Sequence, residues 1–233
     1  MAVIYKTTMT PSKLELLAAW LPRQPWYIGT ASEPHLTKAG GFRLDDPQGE
    51  VGIEFMVVTD NSGERPRSYH VPLSYRGAPF DGADRALIGT SEHGVLGRRW
   101  VYDGTHDPVL VAQLLDLLQG RAEPQAQSET DTPAPSVTSH FTGVGFSTVI
   151  ASAAVDDRQH GTAIMVETKE EAGPHSRSAG AVTIDVMRVL RSDSQAAQSP
   201  ASRSARGHVL ADWRAKKGDE SRGLFVVLRD TAR

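Results

Sequence analysis

The sequence predicts an α+β protein in two parts, on three observations. The first 120 residues alternate Gly-punctuated strand segments with two helical stretches. Residues 121–138 (RAEPQAQSETDTPAPSVT) carry three prolines, much Gln, Ser and Thr and few apolar side chains, the composition of an extended linker. Residues 139–233 then read as a β-rich domain, with strands expected at 147–152, 161–168, 181–190, 207–214 and 223–229. The polar, small-residue stretch 192–205 (SDSQAAQSPASRSA) is expected to form a disordered loop within it.

In chain order, Val3-Ile4-Tyr5 begin a strand, and Thr10-Pro11 is expected to open a helix, Thr capping an orphan N–H and Pro taking the first helical position. Leu14, Leu17, Ala18 and Leu21 recur at helical spacing and mark its buried face; Pro22 should end it. Residues 50–59 and 67–75, separated by the turn residues Asp60-Asn61-Ser62-Gly63, predict a hairpin. Pro72 inside the second strand assigns that strand to an edge or a bulge. A further strand is expected around 95–102. Asp107-Pro108 then opens the clearest helix, with Val109, Leu110, Val111, Leu114, Leu115 and Leu118 on its apolar face and Gly120 as its stop.

Composition excludes several function classes. The 233 residues contain no Cys, which removes disulfides, thiolate metal sites and Cys nucleophiles. Net charge −3 argues against a nucleic-acid partner, since Arg98-Arg99 and Lys216-Lys217 are too short to form a phosphate-binding stripe. No apolar run approaches the ~18 residues of a membrane span, and the first residues lack a signal-peptide pattern, so a soluble, cytoplasmic chain is expected.

Familiar catalytic arrangements are absent from the sequence. None of the six lysines follows a glycine, which excludes a Gly-Lys-Ser/Thr phosphate loop. The single asparagine, Asn61, has no His-x-Asp upstream, so a kinase-type catalytic loop is missing. Gly145-Phe146-Ser147-Thr148-Val149 lacks the final Gly of a hydrolase elbow, and no His-Glu-x-x-His helix occurs. His106-Asp107 is the nearest approach to a catalytic pair, but Asp107 reads better as a helix cap. His70, in a strand, reads as a half-buried packing or surface residue. Asp45-Asp46-Pro47 reads as a turn, with Glu50 and Glu54 alternating outward on a strand. No catalytic residue, metal ligand or cofactor is therefore expected.

One segment stands out. Trp20-Leu21-Pro22-Arg23-Gln24-Pro25-Trp26-Tyr27-Ile28-Gly29 holds two of the four tryptophans of the chain. This run resembles the W-L-x-x-Q-R-W-Y-x-G signature near the start of actinobacterial maltokinases, within their N-terminal cap subdomain; Pro25 stands where the signature commonly has Arg. Tyr69-His70-Val71-Pro72-Leu73 is similar to the cap's Y-x-V-x-L strand. Asp81-Gly82-Ala83 through Ala86-Leu87-Ile88-Gly89 is similar to its A-x-I-G turn, and Tyr102-Asp103 with the helix 108–118 to its closing strand and helix. The resemblance covers residues 1–120 and implies a curved antiparallel sheet with packed helices. In the kinases this cap lies over the nucleotide-binding lobe and contains no phosphotransfer residues. Val182-Thr183-Ile184-Asp185-Val186-Met187-Arg188-Val189-Leu190 also resembles the kinase strand that carries the nucleotide-binding lysine, with Asp185 at the lysine position. That would make 139–233 a degenerate fragment of the kinase N-lobe.

Trp20, Arg23, Trp26 and Tyr27 leave two readings open. They pack a core, or they form a recognition surface on which aromatic faces stack on sugar rings or anchor a protein partner. The resemblance and the missing catalytic loop together imply a non-catalytic accessory or regulatory binding protein of α-glucan, maltose or trehalose metabolism. Its partner would be a carbohydrate-active enzyme or a kinase, or its ligand an α-glucan or maltose-like sugar. Two alternatives remain at this level: an enzyme of α-glucan metabolism, such as a branching-type glycosyl transferase or an unusual sugar kinase, and a self-associating structural protein with exposed strand edges.

Overall fold

A computed structural model describes residues 8–29, 32–127, 129, 132–159, 161–172, 177–192, 205–216 and 219–231. The strand expected at 3–5 and nearly all of the loop expected at 192–205 lie outside these residues. The architecture is mostly antiparallel sheet with few helices, so the α+β expectation is met only in part.

The first part contains β1 (Met9–Thr10), α1 (Lys13–Trp20), β2 (Leu36–Leu44), β3 (Gly52–Asp60), β4 (Arg67–Arg76), β5 (Leu87–His93), β6 (Gly97–Asp103) and α2 (Pro108–Leu118). Then come β7 (Gln125–Ala126), β8 (Thr138–Phe141), β9 (Ile150–Arg158), β10 (Gly161–Thr168), β11 (Ala181–Met187), β12 (Gly207–Lys216) and β13 (Asp219–Asp230). They form one open sheet in the order β1-β5-β6-β4-β3-β2-β12-β13-β11-β10-β9, with β7 added on β2 and β8 on β12. The sheet passes from the first part to the second where Trp213 of β12 pairs with Gly40 of β2. Gly40, at φ +145°, has no side chain to hold Trp213 away: a Cβ there would stand 3.3 Å from the Trp213 Cα.

The sheet curls enough for the chain just after β11 to meet β4. The His70 N–H donates to the Arg188 carbonyl and the Leu190 N–H to that of Ser68. This contact accounts for Pro72. β4 lies between β3 and β6, not at an edge. Its N-terminal half faces residues 188–190, and its pairing with β6 starts only at Leu73. The Pro72 nitrogen points the same way as the His70 N–H and falls where β4 changes partner, so no ladder bond is lost.

Other expectations also shift. Ser12, not Thr10, caps α1: the Glu15 N–H donates to Ser12 Oγ while the Ser12 N–H donates to the Glu15 carboxylate, a reciprocal capping box. Leu87-Ile88-Gly89, read as a turn, lies in β5. The strand expected at 147–152 begins at Ile150 and runs to Arg158. β2, which the sequence does not single out, carries Gly40 and Gly41 at positive φ beside a bulge between Lys38 and Gly40. The helix at 108–118 agrees with its prediction, with Asp107 as its cap and Gly120 at φ +71° beyond its end. No helix among the described residues is long and apolar enough to cross a membrane.

Two apolar clusters hold the structure. One joins Phe42, Phe55, Leu110 and Leu114 from the first part to Ile164, Ile184, Val209 and Phe225 from the second. The other lies under α1 and contains Leu17, Trp20, Leu21, Trp26, Met56, Tyr69, Val71 and Leu73. Tyr69, Val71 and Leu73 alternate onto one face of β4 and His70 turns to the other, as a strand period of two requires. The stretch 121–138, read as a linker, includes β7, paired with Phe42 and Arg43, and Val137 is buried.

Candidate functional site

Trp20 ends α1, and residues 21–27 follow it through a single 3-10 turn, Leu21–Arg23, which accommodates Pro22. That turn drives Trp26 back under the helix. Trp20 and Trp26 meet edge to face at 5.7 Å, and Trp26 packs on Tyr69 at 6.1 Å. Both tryptophans are buried in the apolar cluster under α1. Tyr27 is half-buried against Tyr69, and its Oη donates to Asp60 Oδ2 at 2.7 Å. Arg23 alone of the four faces solvent.

Asp60 organises this corner. Its other oxygen accepts the N–H groups of His35 and Ser62. Burial by itself would raise the Asp60 pKa, but the hydrogen bonds from Tyr27, Ser62 and His35 outweigh it and hold the carboxyl below its ordinary value. Burial, then the Asp60 carboxylate, push the Tyr27 phenol well up.

A second polar cluster lies beside the N-terminal turn of α1. Glu54 was expected to point outward; it is buried, because β3 is covered on both faces. Lys13 Nζ and Tyr75 Oη donate to its Oε2 at 2.5 and 2.6 Å, and Gln127 Nε2 to its Oε1 at 3.0 Å. Burial opposes ionisation here too, but Lys13 and Tyr75 outweigh it, and the Glu54 pKa is lowered. Gly41 makes room for this arrangement: at φ +125°, a Cβ there would come within 2.6 Å of Gln127 Nε2 and 2.1 Å of the Phe55 carbonyl.

Most of the remaining titratable candidates are also bound within the structure. Asp107 accepts the Val109 N–H and a two-pronged contact from Arg76 at 2.7 and 2.8 Å, while His106 is exposed. Asp46 accepts three backbone N–H groups, from Gln48, Glu50 and Val51, and so builds the turn expected at 45–47. Asp185 pairs with Arg229 at 3.0 Å. Arg188 is fully buried: its Nη2 reaches Asp103 Oδ2 at 2.5 Å and Thr105 Oγ1 at 3.1 Å, and its Nε reaches Thr162 Oγ1 at 2.7 Å. Its guanidinium lies over the Trp26 ring at 4.9 Å. Among the described residues, no group of three or more His, Asp or Glu is placed to hold a metal.

His70 is fully buried, not half-buried, because β4 is interior. Its ring packs on Phe55 and Phe225, and its Nδ1 lies 3.2 Å from the Met187 carbonyl, which assigns the proton to Nδ1. Burial, then the nearby Arg188 charge, push its pKa down from 6.5 to about 3. The unfolded chain therefore takes up a proton below about pH 6.5 that the folded chain refuses. Stability is complete above that pH and falls as the pH drops towards 3, by about 1.4 kcal/mol per pH unit from this group. Urea unfolding at pH 7.5 and 5.5 should show that loss, and His70→Phe should shrink the difference; an unchanged pH dependence would remove His70 as its source.

Geometry and chemistry together define a β-dominated module whose charged groups fasten strands and turns. Residues 20–107 match the maltokinase N-terminal cap domain family. This stretch is similar to that cap and takes in the aromatic run, the Tyr69–Leu73 strand and Tyr102-Asp103, while the helix 108–118 and the 182–190 segment lie beyond it. No curated protein matches the chain. The Lys13–Glu54 and Asp103–Arg188 pairs escaped sequence reading, because their partners lie 41 and 85 residues apart and neither pair has a motif.

Proposed function

We propose that this chain is a non-catalytic accessory or regulatory binding protein of α-glucan, maltose or trehalose metabolism, acting in the cytoplasm through a maltokinase-cap-like region joined to a β-rich second part. The observation that carries this reading is the cap-family match over residues 20–107, in a stretch whose buried carboxylates are held by structural donors. A carboxylate whose oxygens are filled by two or three structural donors is poorly placed to exchange a proton with a substrate. With Trp20 and Trp26 buried, recognition would fall to Arg23 and the half-buried Tyr27. The curved, helix-covered sheet implied for the cap supports a docking role better than a reaction cleft.

The test combines binding and turnover on the purified chain. Calorimetric titration with maltose and maltoheptaose, and the activity of a maltokinase with and without the chain, should show binding or a change in kinase activity. Incubation with ATP and maltose, or with amylose, should show no turnover above a blank. Turnover would replace this reading with an enzyme of α-glucan metabolism. Failure to bind either sugar, together with no effect on the kinase, would overturn it.

A further inference from the structure

The two ends of the sheet are finished differently. At one end β5 is covered by β1, only two residues long and followed by Pro11, so the ladder stops there. At the other end β9 pairs with β10 and, among the described residues, with no other strand. β9 spans nine residues, and Ala151 to Ala154 are exposed in succession, so both faces of the strand meet solvent. Residues 150–155 (Ile-Ala-Ser-Ala-Ala-Val) carry no charge and no proline, the devices that usually keep a free edge from pairing.

We infer that this chain forms a two-fold homodimer by antiparallel pairing of β9 with β9 of a second copy, centred on Ala154. The charge pattern selects that occupant and orientation. β9 is neutral in its first six residues and ends in Asp156-Asp157-Arg158. Parallel in-register pairing would place Asp156 and Asp157 against their own copies, which like-charge repulsion opposes. Antiparallel pairing about Ala154 instead sets Asp156 opposite Ser152 of the second copy, Asp157 opposite Ala151 and Arg158 opposite Ile150. The same register accounts for an apolar residue left in water. Met165 of β10 is the cross-strand partner of Ala154 and is 43% exposed. Two adjacent Ala154 residues, with a Met165 on either side, make a shallow apolar row into which both methionines can fold. A two-fold contact is self-complementary in this way, and it closes the edge.

The absence of cysteine makes the register directly testable. Ala154→Cys should oxidise to a disulfide-linked dimer, because directly opposed Cα atoms in an antiparallel pair lie about 4.5–5.5 Å apart, within disulfide reach. Ala151→Cys should not, since the two copies of position 151 would stand six residues apart, about 20 Å. Sedimentation of the unmodified chain should give twice the single-chain mass of 25.2 kDa. Ala154→Lys, at an exposed position, should melt at the same temperature when dilute but raise the dimer dissociation constant about fivefold or more. A chain that stays monomeric to high micromolar concentration overturns the inference. So does a dimer indifferent to Ala154→Lys, or one that crosslinks equally at 151 and 154.

Discussion

Replacing Arg188 with alanine is expected to lower the melting temperature by roughly 6–20 °C. Arg188 has no exposed surface, and its guanidinium supplies hydrogen bonds to Asp103, Thr105 and Thr162. Removing it leaves the buried Asp103 carboxylate without its cation, and breaking a buried pair from one side costs about 3–5 kcal/mol. The loss should be felt throughout the molecule, because Asp103 ends β6 while Arg188 follows β11. The double variant Arg188→Met with Asp103→Leu removes both charges and should recover much of the stability, since a buried ion pair gains little over a packed apolar pair. Thermal melting of the single and double variants decides the matter. Equal destabilisation in both would mean that the shape of the guanidinium over Trp26, and not the ion pair, holds this joint.

Trp26→Ala should cost about 3–5 kcal/mol, whereas Arg23→Ala, three residues away, should change stability by less than about 0.5 kcal/mol. Trp26 is among the largest fully buried side chains and touches Trp20, Tyr69 and the Arg188 guanidinium. Its loss opens a cavity under α1 that an eight-residue helix, held by one capping box and one apolar face, is badly placed to close. Denaturant unfolding of both variants separates the two roles that the sequence left open for this segment. If Trp26→Ala kept wild-type stability while abolishing ligand or partner binding, the aromatic run would be a recognition surface after all.

The elements that could be read from the sequence are those whose determinants are local. The helix at 108–118 announces itself through Asp107, Pro108, the apolar spacing and Gly120, all within a few residues of the backbone they direct. The 67–75 strand and the motifs similar to the maltokinase cap were legible for the same reason, since each lies within five to ten consecutive residues. The aromatic run was recognisable, but whether Trp20 and Trp26 faced solvent was not. A tryptophan carries the same sequence signal on a surface as in a core.

The misreadings share one cause. Local rules place Pro72 at an edge or a bulge and Glu54 on an outer face because they take a strand to have one free side. β3 and β4 have none: α1 covers one face, the shared core covers the other, and residues 188–190 return to β4 from more than a hundred residues away. In that setting the ladder gap at Pro72 costs nothing, and Glu54 is buried with three donors. His70 follows the same logic, its titration set by Phe55, Phe225 and Met187, which nothing in the neighbouring sequence indicates.

By itself the sequence determined a Cys-free, mildly acidic, strand-rich chain with a cap-like first part and none of the familiar catalytic motifs. Those properties follow from composition and short-range pattern. Only the tertiary structure decided that one open sheet runs through both parts, that Arg188 and Asp103 fasten them, and that two of the four aromatic-segment candidates are core. The physical reason is that burial and charge pairing depend on which distant residues are brought together. A curled sheet sets those neighbours by its strand order, which short-range sequence does not record.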